Sequence, residues 1–203
     1  MLRHGAALLF IALTAASVYA GDNQPGPWEP VRFLIGTWEG TVSGQSGSGT
    51  VSRSYEFILH DKFIQEKNIS TYPPQEQKQA GEVHHHVGFI SYDRKRKTLM
   101  LRQFHEEGFV NLYALNQTAS GPALLVFESE SFENFDNSWQ AKETYKIISD
   151  SEFIETFELA PPGKAFEVYS RNHFKRVPFC SSRMVNAPYL SSSRAISRSR
   201  STT

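Results

Sequence analysis

Between residues 31 and 177, apolar and polar positions alternate with a period of two in short runs, and helical spacing is almost absent. The runs cover 33–43, 50–59, 62–72, 82–92, 97–105, 109–115, 122–131, 138–148, 152–159 and 165–177, and each reads as a strand. Turn-forming residues separate them, among them Gly44 to Gly49, His60-Asp61, Pro73-Pro74, Asp93-Arg94, Glu107-Gly108, Ser120-Gly121, Asp150-Ser151 and Pro161-Pro162-Gly163. Trp139, Ala141, Tyr145 and Ile147 share one face, interrupted by Glu143. Phe153, Phe157 and Leu159 do the same around Glu155. In the last run Phe166, Val168 and Phe174 alternate with Glu167, Arg171 and Lys175. Short connections favour antiparallel neighbours in chain order. Closing such a meander removes its exposed edges, so the expected fold is all-β, an up-and-down antiparallel barrel of about ten strands. A barrel of that size leaves an interior pocket unless large side chains fill it.

Composition changes the picture at the two ends. Arg3 and His4 precede an apolar stretch from Ala6 to Val18, and Val18-Tyr19-Ala20 suits signal-peptidase cleavage before Gly21. That stretch, about 13 residues, is short of the ~20 that span a bilayer, so export without an integral membrane span is expected. Residues 178–203 are rich in Ser and Arg and carry no acidic residue, which reads as a disordered basic tail. The expected organisation is therefore a signal peptide over 1–20, a linker over 21–30, the barrel over 31–177 and the tail over 178–203. The chain holds 21 basic and 21 acidic residues. All the acidic ones lie between Asp22 and Glu167, whereas Arg3, Lys175, Arg176, Arg183, Arg194, Arg198 and Arg200 lie outside residues 21–174. The body is thus acidic, which argues against nucleic acid as a partner. A single cysteine, Cys180, excludes an internal disulfide and multi-cysteine metal sites within one chain.

Phe33-Leu-Ile-Gly-Thr-Trp-Glu-Gly40, opening a ten-strand meander, resembles the calycin (lipocalin-like) barrels, and especially the nitrobindin-like haem-binding β-barrel family. Glu82-Val-His-His-His-Val-Gly-Phe-Ile-Ser-Tyr92 is similar to that family's middle strand, where a His precedes a Gly-aromatic pair. The resemblance spans about residues 28–177. It implies a b-type haem held by one histidine on the last strand, and with haem bound it implies chemistry on nitric oxide or peroxide. The implied ligand position falls near Val168 or Tyr169. The strand's histidine, His173, alternates with the charged set and is expected to point outwards, as by the same phase is Tyr169, although a tyrosine can ligate haem iron. The alternative is a carrier of a small, largely apolar ligand without haem, lipocalin-like or fatty-acid-binding in manner.

The residues themselves supply the candidate pocket. Trp38 on the first strand is expected to close the barrel floor. His85 shares a face with Val83, Val87 and Phe89, which is expected to be the inner one. Gln103 and His105 align with Leu99 and Leu101, and Asn111 aligns with Phe109 and Tyr113. Polar groups among apolar neighbours there would orient a ligand or bridge strands as an internal network. His84 and His86 form a His-x-His pair suited to a metal-dependent enzyme, with His105 or Glu82 as a third ligand. No Gly-x-Ser-x-Gly elbow or phosphate loop is present. Glu128, Glu130, Glu143 and Glu155 read as solvated carboxylates of the barrel exterior. Asn68-Ile-Ser70 and Asn116-Gln-Thr118 are glycosylation sequons.

Overall fold

The computed structural model describes residues 26–76 and 79–178. The leader-like segment 1–20 and the basic tail, with Cys180, lie outside the described residues. Ten strands follow one another: β1 (Gly36–Gly44), β2 (Gly47–Ile58), β3 (Phe63–Tyr72), β4 (Glu82–Asp93), β5 (Thr98–His105), β6 (Val110–Leu115), β7 (Leu124–Glu133), β8 (Gln140–Ser149), β9 (Glu152–Ala160) and β10 (Glu167–Arg176). Each pairs antiparallel with its neighbours in sequence, and β1 pairs with β10 to close the barrel. The all-β, ten-stranded meander expected from the alternation is the fold observed. Among the described residues no helix is long and apolar enough to cross a membrane.

The first run departs from expectation. Phe33 and Leu34 belong to a 3-10 helix, Glu29–Leu34, with Pro30 in its first turn, and the strand starts only at Gly36. Pro30 has a fixed φ and no N–H to give to a sheet ladder, so this segment suits a turn better than a strand. Val31 and Leu34 are fully buried beneath it, and the Trp38 indole donates a 2.6 Å hydrogen bond to the Leu34 carbonyl. Trp28, inside the stretch read as linker, packs edge-on against Phe57 at 5.8 Å. Residues 28–34 are therefore a plug that closes one end of the barrel.

An aromatic stack fills that end. Phe153 meets Trp38 edge-on at 4.7 Å, stacks on Phe174 at 4.8 Å and meets Phe33 at 5.8 Å. The Arg176 guanidinium lies 4.1 Å from the Trp38 ring and donates to the carbonyls of Ile35 (2.6 Å), Phe33 and Asp150 (2.9 Å). One side chain of β10 thus ties the plug to the closing seam. The seam itself is tight: a Cβ at Gly40 would lie 2.0 Å from the His173 carbonyl oxygen on β10, so only glycine fits there.

Truncating the centre of this stack tests its weight. Phe153→Ala is expected to lower unfolding stability by about 3–5 kcal/mol, measured by urea denaturation. A loss below about 1 kcal/mol would show that the end reorganises around the cavity.

Candidate functional site

The opposite end of the barrel is open and polar. A cavity of about 570 Å³ enters it, lined by residues from the His84 to His105 region, by Phe109, Phe132, Phe135 and Phe157 nearer the rim, and by Arg53, Gln103, Glu143, Glu155 and Asn172 at depth. That volume is in the range of small-molecule sites.

The floor is a layer of buried charge. Arg53 on β2 pairs with Glu155 on β9 (Nη1 to Oε2, 2.8 Å), donates through Nε to Asn68 Oδ1 (2.8 Å) and through Nη1 to the Tyr55 hydroxyl (3.2 Å), and lies 3.4 Å from Glu66 on β3. Asn172 on β10 donates to the same Glu155 oxygen at 2.8 Å. Burial works against the Arg53 charge, but the carboxylates, Glu155 foremost, outweigh it and raise its pKa. Burial likewise opposes ionisation of Glu155, yet Arg53 and the hydrogen bonds from Glu143, Arg53 and Asn172 bring it down to about 2. Glu143 on β8 goes the other way. Burial first, then the charge of Glu155, push its carboxyl well above the usual range, so it keeps its proton and donates it to Glu155. Glu143 and Glu155 are the polar interruptions visible in the alternation of β8 and β9. They face inwards, correcting the expectation that they are solvated on the exterior. Glu130 does sit at the surface, paired with Arg96.

Above the floor three histidines converge. His84 and His86 on β4 point inwards, and His86 stands directly opposite His105 on β5. One ring nitrogen from each lies within 4.8 Å of the others. Each ring has a polar neighbour: His84 Nδ1 lies 2.9 Å from Glu107, His86 Nε2 lies 2.7 Å from the buried Glu66, and His105 Nε2 lies 3.2 Å from the buried Asn111 amide. Phe109 stacks on His105 at 4.3 Å. Burial, then the neighbouring His86 and His84, hold the His105 pKa down at about 3. Gly88, two residues beyond His86, makes room for Glu66: a Cβ there would come within 2.8 Å of Glu66 Oε2.

Of the residues anticipated for the pocket, Gln103, His105, Asn111 and Tyr169 line the cavity, as do His84 and His86. Tyr113 is buried below, its hydroxyl accepting from Asn111 at 3.0 Å. Trp38 is buried in the aromatic stack of the closed end and does not border the cavity. The phase expected for β4 is inverted. His85 is on the outer face, 53% exposed and 2.9 Å from Glu106, and Phe89 packs outside against Phe104 at 6.0 Å. The apolar side of β4 faces out because the inner side must serve a polar layer. On β10 a bulge between Val168 and Ser170 resets the alternation. It leaves Val168 exposed and turns Tyr169, expected outward, towards the cavity, with its hydroxyl 3.3 Å from Ser46 Oγ. His173 points outwards, 2.6 Å from Glu152. The inner residues of β10 in this region are Ser170, Asn172 and Phe174, so the last strand offers no imidazole to haem iron and does not fit the ligation the resemblance implies. The first sequon is also accounted for: Asn68 is buried inside the barrel against Arg53, out of reach of glycosylation once folded. Arg53 interrupts the apolar face of Val51, Tyr55 and Phe57 as Glu143 does that of Ala141 and Tyr145, and this is the signal that could have found it, whereas Glu66, Asn68 and Asn172 lie among polar neighbours on their own strands.

No family model matches the sequence, and no curated protein matches it either. Among solved structures the chain is similar to Rv2717c from M. tuberculosis, at 12% identity and a TM-score of 0.57 over 76% of this chain and 99% of that one. A redesigned β-barrel aligns at 9% identity and a TM-score of 0.36, over 72% of this chain and 93% of its own. At such identity the first likeness is one of fold alone.

The opposed protonation of the floor carboxyls has a measurable sign. Glu143 binds its proton more tightly folded than unfolded, so its contribution is complete below about pH 4.5 and is lost as pH rises towards its folded pKa. Glu155, depressed, contributes above about pH 4.5 and loses that contribution as pH falls towards 2. Glu143→Gln is therefore expected to gain stability over the parent as pH rises from 4.5, by up to about 1.4 kcal/mol per pH unit. Urea unfolding at pH 4.5 and pH 8 measures it, and an unchanged difference between the two would refute the buried proton.

Proposed function

We propose that this protein is an exported barrel that binds one small molecule in its open end, with an apolar body against the rim aromatics and a hydrogen-bond-donating head on the floor. One observation carries the reading. Glu143 Oε2, Asn172 Oδ1 and Gln103 Oε1 are buried, border the cavity and have no hydrogen-bond partner among the described residues. Asn172 is fixed in orientation because its amide nitrogen donates to Glu155. Glu143 is fixed in role because its proton goes to the same carboxylate. Both therefore present acceptors on either side of Glu155. Buried acceptors left without a donor cost about 1–3 kcal/mol each, and a ligand hydroxyl or ammonium would satisfy them. A carboxylate head would instead meet Glu155 without a compensating donor. Phe109, Phe132, Phe135 and Phe157 supply the apolar wall for the body of such a ligand. The leader-like residues 1–20 support a site of action outside the cytoplasm.

Haem b is the competing occupant, and the test separates the two. Alkylamine, alkyl alcohol and alkyl carboxylate of equal medium chain length, and hemin, are titrated against the purified protein. The amine and alcohol should bind saturably, one per barrel, and at least tenfold more tightly than the carboxylate. Asn172→Leu should weaken the amine about tenfold, the loss of one hydrogen bond to a charged group. Equal affinity for amine and carboxylate would reject the donor head. A saturable Soret shift with hemin that survives Asn172→Leu, with no binding of the alkyl probes, would put haem in its place.

A further inference from the structure

The three imidazoles above the floor are not needed by the ligand head, and their arrangement has a chemistry of its own. We propose that His84, His86 and His105 form a binding site for one divalent ion of the zinc type, with one coordination position left facing the cavity. The strands fix the donors. His84 and His86 are two residues apart on the inner face of β4, and His105 is in register with His86 across the β4–β5 ladder. Ring centroids lie 5.2–6.0 Å apart, and the nearest donor nitrogens lie within 4.8 Å. Two nitrogens on one tetrahedral zinc are about 3.4 Å apart, so modest side-chain rotation, easiest at the partly exposed His84, closes the set.

The surroundings favour ligation over a simple polar cluster. Metal-bound histidines almost always donate the N–H of the far ring nitrogen to a carboxylate, backbone carbonyl or water. Here Glu107 holds His84, Glu66 holds His86 and Asn111 holds His105. The remaining nitrogen of each ring has no hydrogen bond among the described residues, and His105 Nδ1 is buried besides. Ligation through Nδ1 puts the ring proton on Nε2. A rotation of the Asn111 amide then lets its oxygen accept from both His105 and the Tyr113 hydroxyl, which occupy the positions its nitrogen now serves. Three imidazole donors select a borderline ion such as Zn²⁺ over Ca²⁺ or Mg²⁺, which require oxygen. Three protein ligands on a four-coordinate ion leave one position open, and all three residues border the cavity. The site stands apart from the donor-head reading: the acceptors Glu143, Asn172 and Gln103 take no part in it.

Co²⁺ is the probe, titrated into untagged protein freed of metal by chelator and followed by its visible d–d absorption. One ion should bind per chain with the intense bands of tetrahedral cobalt, and Zn²⁺ should displace it. His84→Ala and His105→Ala should each weaken binding at least tenfold. Glu66→Gln should weaken it about 10–100-fold, with circular dichroism confirming the barrel. His85→Ala and His173→Ala, which remove outward imidazoles, should leave the affinity unchanged. Azide should shift the bands by taking the open position. The absence of saturable binding, equal loss in His85→Ala, or retention in the His84→Ala/His105→Ala double variant would overturn the site. Bands that azide leaves unmoved would overturn the open position.

Discussion

A guanidinium inside a closed barrel sets the terms for everything around it. Arg53 is 2% exposed, and a charge so placed is tolerated only when it is paired and fully hydrogen-bonded. Glu155 supplies the counter-charge, Asn68 and Tyr55 take further N–H groups, and Glu66 sits alongside. Each partner then makes its own demand. Glu155 needs donors, which come from Asn172 and from a Glu143 that keeps its proton. Glu66 needs space, which Gly88 provides, and a donor, which comes from His86. The layer is thus one connected network of β2, β3, β4, β8, β9 and β10, and the cavity above it inherits its polarity.

That polarity explains which parts of the molecule the sequence makes legible. Strand number, order and hairpin connection follow from period-two alternation and turn residues, and these are properties of the backbone that survive whichever face points inwards. Facing is a separate matter. The usual inference that the apolar side is the inner side holds for β8 and β9, where Tyr145 and Phe153 flank buried glutamates. It fails for β4, whose Val83, Val87 and Phe89 face out while two histidines and a glycine face in. Local signals of this kind cannot reveal that an arginine two strands away needs a carboxylate beside Gly88. The bulge at Val168 is invisible for a related reason: one extra residue in a ladder leaves no mark on composition, yet it decides whether Val168 or Tyr169 meets the cavity. Phe33 and Leu34 read as strand because their chemistry suits a core, and they are in the core, but as a plug.

The two ends divide the work of the fold. The aromatic stack around Phe153 and the 28–34 plug hold the closed end, with the Arg176 guanidinium over Trp38 tying the two together. The open end carries the unpartnered acceptors and the imidazoles. A likeness in fold to Rv2717c at 12% identity is what such a division permits, since barrel closure constrains backbone geometry and leaves the lining side chains free to differ.

The seam between β1 and β10 joins segments more than a hundred residues apart, whereas every other pairing joins neighbours in the chain. Hairpins can form early and locally, but this last ladder must wait until the whole length has emerged and must meet the entropy of closing a very long loop. Until then β1 and β10 are open edges, each able to pair with another chain. Gly40 sharpens the requirement, because the His173 carbonyl approaches it too closely for any side chain to be accommodated. The residue that lets the cylinder close is therefore also one whose replacement would leave both edges open, with aggregation of unclosed chains as the hazard.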